Sequence, residues 1–153
     1  MVVPLLEGRP VPAPFASWYR STSEVEYCFT MPGIARLTVF ALDCPDPQSL
    51  AAFYSAVTGW EVDYDGGDWV QLRNESGPTL AFQLAPDHQP PVWPSADRPQ
   101  QAHIDFEMKD LDEGERQVVA LGARKAAVQP GDDFRVFLDP AGHPFCLVVE
   151  GHE

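Results

Sequence analysis

Beyond residue 36, apolar and polar positions fall into short runs whose period switches between two and about 3.6. Leu37, Val39 and Ala41 alternate with Arg36, Thr38 and Phe40, which predicts a strand with Leu37, Val39 and Ala41 on its buried side. Residues 43–49 break the alternation and supply helix-capping side chains, with Pro47 placed for a first helical turn. Leu50, Phe53, Tyr54 and Val57 then recur on one helical face, and Gly59 suits the helix end. Runs at 60–64, 69–73 and 79–84 predict three strands, separated by Gly66–Gly67 and by the turn residues Asn74–Pro78. In the last of these, Leu80, Phe82 and Leu84 oppose Thr79, Ala81 and Gln83.

The same order of elements then recurs. His103–Met108 predicts a strand, Asp110–Leu121 a helix with Leu111, Val118 and Leu121 inward, and 125–128, 134–138 and 145–149 three more strands. Residues 139–144 form the last turn. Aligning the strand openings sets Arg36 against His103 and Asp43 against Asp110, with about one extra helical turn in the first copy. The expected organisation is an N-terminal arm or extension (1–35), a first βαβββ module (36–86), a Pro-rich linker (87–101) and a second module (102–150). Segment 1–35 carries Pro4, Pro10, Pro12, Pro14 and Pro32 yet also Phe15, Trp18, Tyr19, Tyr27 and Phe29. It reads either as an arm packed on the domain or a partner subunit, or as an extension ahead of Met31.

Charge narrows the partners. A net charge of −13 over 153 residues argues against nucleic acid and anionic membrane surfaces, and any anion site must be local to one of few arginines. The three cysteines, Cys28, Cys44 and Cys146, form no CxxC pair, and no apolar run approaches a membrane span. A cytoplasmic protein with a small-molecule ligand is expected, with a homodimer left open.

Three stretches carry a family resemblance: 42–60, 98–106 and Phe137–Phe145 with its Asp-Pro-Ala-Gly turn. Together with the duplicated βαβββ unit they resemble the vicinal oxygen chelate superfamily, most closely its glyoxalase-like branch. The resemblance implies an α+β fold in which two tandem modules form a cup-shaped, incompletely closed mixed β-barrel. It also implies a divalent metal held by one ligand from the opening strand and one from the final strand of each module. By position these are His103 and Cys146 in module two, and Arg36 with Gln83 or Ala81 in module one. Arg36 stays protonated and cannot ligate a cation. No metal cofactor is therefore expected. Should one bind, His103, Gln83 and Asp105 form the fallback ligand set.

The candidate site thus centres on His103 and Arg36 as catalytic groups. Thr38, Gln83, Trp93, Asp105, Arg135 and Cys146 join Arg36 as ligand-binding residues on the concave sheet faces. Each has a structural alternative: His103 in a hydrogen-bonding niche, Arg36 paired with Asp105, Cys146 as a small buried residue, Trp93 as an anchor for the linker. Glu107 faces either the cup or water. Three functions stay open. One is a metal-independent enzyme or binding protein for a small polar or anionic molecule, with Arg36 neutralising an oxygen and His103 moving a proton. The second is a metal-dependent lyase, isomerase or dioxygenase. The third is a non-catalytic antibiotic-sequestering protein that binds through aromatics such as Trp93 and Phe40.

Overall fold

The computed structural model describes residues 34–151. The arm or extension expected at 1–35 lies, apart from its last two residues, outside the described residues. Arg36–Glu153 forms one compact unit. Its elements are β1 (Val39–Cys44), α1 (Pro47–Thr58), β2 (Val62–Asp65), β3 (Trp69–Leu72), β4 (Thr79–Leu84), β5 (Ile104–Met108), α2 (Leu111–Ala120), β6 (Arg124–Lys125), β7 (Phe134–Leu138) and β8 (Pro144–Val149). Two four-stranded mixed sheets result, ordered β1-β4-β3-β2 and β5-β8-β7-β6. In each, the opening and final strands of a module run parallel and the remaining pairs antiparallel. This is the expected α+β pair of βαβββ modules, an open arrangement in which β1 and β5 are free sheet edges. No helix among the described residues is long and apolar enough to cross a membrane.

Both helices start on an aspartate N-cap, and the caps correct the alignment of the modules. The Asp46 side chain accepts from the Ser49 amide and Pro47 follows at the first helical position. Asp110 accepts from the amides of Asp112 and Glu113. Asp43, read from sequence as the helix-starting aspartate, instead lies inside β1. The two N-caps are 64 residues apart, so the counterpart of His103 is Val39 and not Arg36. The extra helical turn disappears with this correction, since α1 and α2 span 12 and 10 residues.

The same shift reverses the predicted faces of β1. Leu42 and Cys44 are buried in the core with Phe40 packed against it, while Ala41 and Asp43 are exposed. Leu37, expected inward, precedes the strand and is 65% exposed. Burying Phe40, Leu42 and Cys44 removes more apolar surface from water than burying Leu37, Val39 and Ala41, so the larger residues set the register. In β5 the predicted faces hold, with Ile104, Phe106 and Met108 packed against the core; in β4 Leu80 and Phe82 are core as expected, but Leu84 is 39% exposed, and Thr79 and Ala81 on the other face are buried as well. Two smaller departures concern module two. Leu121 caps α2 and is 42% exposed, and the strand after it is confined to Arg124–Lys125.

One apolar cluster spans both modules. Tyr54 on α1 stacks on Phe82 at 5.5 Å, and Phe106 and Phe145 of module two lie 6.0 and 6.3 Å away. Each such ring contributes about 1.5–3 kcal/mol by burial. The Tyr54 hydroxyl donates to Asp139 Oδ2 at 2.9 Å, so a module-one helix is hydrogen-bonded to the last turn of module two. The modules are thereby fixed relative to each other, which positions β5 against the end of α1.

Candidate functional site

Strand register brings three chemistry-bearing side chains together on module two. His103 immediately precedes β5, Asp105 lies two residues on, and Asp105 pairs with Cys146 of β8 in the parallel ladder. Donor atoms of His103, Asp105 and Cys146 all lie within 4.8 Å of one another. His103 Nε2 is 3.5 Å from Asp105 Oδ1, and its Nδ1 is 3.3 Å from the Gln100 side-chain amide. If the Gln100 N–H donates to Nδ1, the ring proton sits on Nε2 and faces the carboxylate. At 44% and 54% exposure the pair adds little to stability. Cys146 behaves differently. Burial, followed by the Asp105 carboxylate, pushes its thiol up to about 12, so it is a neutral wall and not a nucleophile.

His103 and Asp105 of the cluster line a cleft of about 700 Å3 between the modules. Phe40, Val57, Thr58, Trp60 and Leu80 supply its module-one wall, and His103 to Glu107 the other. Glu107 thus joins Asp105 on the cleft. Trp93 from the linker packs against Ala126, Val136 and Cys146, in a small apolar cluster with Phe134 and Val148. Its indole N–H is buried with no hydrogen-bond partner.

The remaining predicted residues lie elsewhere. Arg36 and Thr38 precede β1 and line a neighbouring groove of about 570 Å3 with Asp63, Arg73 and Asn74; the two cavities meet at Pro78 and Thr79. The structure therefore separates Arg36 from His103, because the three-residue correction at the N-caps removes their equivalence. Arg135 points to the opposite face of its sheet. It donates to the Leu111 carbonyl at 3.0 Å and to carboxylates of Glu115 and Asp112 at 2.6 Å, which raise its pKa further and fasten β7 to α2. Gln83 is exposed in sheet one beside Asp43 and Trp69, and the residue that completes the His103–Asp105 pair is Cys146. The ladder makes Ala81, not Gln83, the counterpart of Cys146, and Ala41 the counterpart of Asp105. Gln100 escaped the sequence reading, although it sits only three residues before His103. Tyr54 and Asp139 also escaped, since each looked sufficient as a core residue or a turn residue.

At the positions where the resemblance implies metal ligands, module one offers Val39 and Ala81, neither of which can donate to a cation. The four-ligand site is not built from these residues. Module two alone keeps polar side chains.

Comparison with known proteins follows the fold. Residues 39–148 match the model of a family described as a glyoxalase-like domain. A glyoxalase/bleomycin resistance protein/dioxygenase family enzyme from Burkholderia phytofirmans superposes with a TM-score of 0.61 at 15% identity, covering 75% of this chain and 98% of its own. A genomically encoded fosfomycin resistance protein from Listeria monocytogenes gives 0.59 at 20% identity, covering 76% and 94%. A glyoxalase-related enzyme from Fulvimarina pelagi gives 0.56 at 18%, covering 75% and 88%. At these identities the likeness is one of fold. No curated protein sequence matches the chain.

Proposed function

We propose, from the premise that this chain belongs to the glyoxalase-like domain family, that it binds a small polar organic molecule in the cleft between β5 and module one. The observation that carries this reading is the His103–Asp105–Cys146 cluster at the cleft. In it, the ligand displaces the Gln100 amide and meets His103 Nδ1, while Asp105 faces Nε2 and holds the imidazole in one tautomer. A proton taken from an acidic C–H or O–H of the ligand would leave an imidazolium facing a carboxylate, which stabilises it. Asp105 and Glu107 make the cleft acidic, and Arg36 lies in the neighbouring groove. The reading therefore favours a neutral or cationic ligand over an anion.

A second reading, a divalent cation on His103, Asp105 and Cys146, is favoured by the mutual approach of the three donors. It needs the thiol deprotonated beside Asp105, against a pKa near 12.

One titration separates the readings. Neutral enolisable carbonyl compounds, amines and aromatic antibiotics are screened by calorimetry with and without EDTA, on wild type, His103→Gln, Asp105→Asn and Arg36→Ala. A binder unaffected by EDTA and by Arg36→Ala, weakened about tenfold or more in His103→Gln, supports the first reading; tenfold is about 1.4 kcal/mol, the scale of one lost hydrogen bond. Loss of binding in EDTA, with about one equivalent of metal per chain, supports the second. A ligand that binds all four proteins alike refutes both.

A further inference from the structure

We infer that the linker from Pro86 to Arg98 is a proton-released strap: His88 latches it to the Asp139–His143 turn, Trp93 seats beside Cys146, and protonation of His88 frees both. Its bearing on ligand access rests on the binding reading above. The strap itself does not.

Three side chains seat the strap. The His88 ring lies 4.7 Å from the His143 ring, centroid to centroid, and its Nε2 is buried with no partner. Pro90 packs so closely on Gly142 that a Cβ there would sit 2.5 Å from the Pro90 Cβ. Trp93 fills the apolar surface formed by Ala126, Val136 and Cys146. Among the described residues, the backbone hydrogen bonds of 86–99 stay local: His88 donates to Ala85, Val92 to Arg98, and Ser95 to Val92. Pro86, Pro90, Pro91, Pro94 and Pro99 remove donors that could have joined a sheet. Release therefore breaks no ladder. It also hydrates two buried nitrogens, His88 Nε2 and Trp93 Nε1, that lack partners when the strap is seated.

Charge supplies the trigger. Burial, then the facing His143, lowers the His88 pKa below its ordinary 6.5; a backbone hydrogen bond to Ala141 and the carboxylates of Asp43 and Asp139 oppose this without cancelling it. His143 is tied down separately, with its Nε2 2.7 Å from the Asp43 carbonyl and its amide donating to Asp139 Oδ1. The movable partner is thus His88. A depressed pKa in the seated state means that seating is fully favoured above pH 6.5 and is lost as pH falls below it. Each unit of lowering shifts the seating equilibrium by about tenfold. Asp105 on β5 and His103 just before it approach Cys146, which Trp93 contacts, so His103 needs its own control.

The test is acrylamide quenching of tryptophan fluorescence on the full chain from about pH 7.5 to 5, with Trp93→Phe subtracted to isolate the Trp93 signal and circular dichroism confirming the fold. The Trp93 component is expected to rise several-fold with a midpoint below 6.5, to stay flat in His88→Gln, and to persist in His103→Gln. A pH-independent wild type overturns the inference. So does a transition that survives in both His88→Gln and His143→Gln, or one that disappears in His103→Gln. If His88→Gln does not fold, the wild-type profile and His143→Gln decide. Failure to find a ligand leaves this measurement untouched, so the strap and the binding reading fail independently.

Discussion

Tyr54→Phe removes one oxygen and tests how the two modules are joined. The hydroxyl donates to Asp139 Oδ2 at 2.9 Å, and the two residues are 0% and 1% exposed. Burial pushes the Asp139 carboxyl above its ordinary 3.8, while His143, the Tyr54 hydroxyl and the amides of His143 and Ala141 pull it back down. Without the hydroxyl an ionised Asp139 loses a charge-assisted hydrogen bond with no water to replace it. That costs about 1.5–3 kcal/mol. Once Asp139 is protonated the lost bond is between neutral groups and is worth about 0.5–1.5 kcal/mol. An acid whose folded pKa is raised contributes stability that is present below its unfolded value and lost as pH rises through the folded value. Tyr54→Phe raises that folded value further, so the variant's deficit must grow with pH. The expected losses are about 2–3 kcal/mol at pH 7.5 and smaller near pH 4.5, where more of Asp139 is protonated, read by urea unfolding with unchanged slope. A deficit below about 0.5 kcal/mol at pH 7.5, or one equal at both pH values, would refute the view that a buried carboxylate joins the modules.

Two further outcomes follow from local geometry. Gly142 has φ 93° and its missing Cβ would meet Pro90, so Gly142→Ala should lose about 1–3 kcal/mol in thermal unfolding and increase Trp93 quenching at neutral pH; an unchanged Tm would mean that Pro90 does not seat the strap. Cys44 and Cys146 are pushed up to about 11 and about 12 by burial, so site-resolved alkylation at pH 8 should run on the order of a hundredfold slower than in the urea-unfolded chain; comparable rates would contradict their burial.

The order of elements was legible because each carries its own signal: alternation in β4 and β5, the i, i+3, i+4 face of α1, the Gly59 stop. The register between modules was not. Asp43 and Asp46 are both able to cap a helix, and the alignment of strand openings took Asp43 although Pro47 was already placed for a first helical turn. The choice depends on Pro47 occupying the first turn and on Phe40, Leu42 and Cys44 reaching the core, a comparison of buried area that only packing settles. That single ambiguity put Arg36 at the site and hid Val39 and Ala81 as the true module-one counterparts. Module two was read correctly in β5, because Ile104, Phe106 and Met108 are all large and apolar and leave His103 and Asp105 only one face. Arg135 was misplaced for a different reason: a basic residue on the core-facing parity of a strand is tolerated only when acids meet it, and Asp112 and Glu115 lie 23 and 20 positions away in sequence.

The turn from Asp139 to His143 shows why a site of this kind need not be altered through its own residues. Asp139 holds α1 through Tyr54 and shapes its own turn by accepting from the amides of Ala141 and His143. His143 reaches the Asp43 carbonyl at the end of β1, and it also faces His88 on the linker. Gly142 receives Pro90. Three separate elements of the fold therefore converge on five residues, which lead directly into β8 and Cys146. A shift of the turn moves α1, whose last turn walls the cleft, and at the same time the strap that carries Trp93. Tyr54→Phe and His88→Gln should accordingly couple when combined, with a double-mutant interaction energy beyond the few tenths of a kcal/mol seen for independent sites. Strict additivity would mean that the turn serves its partners separately.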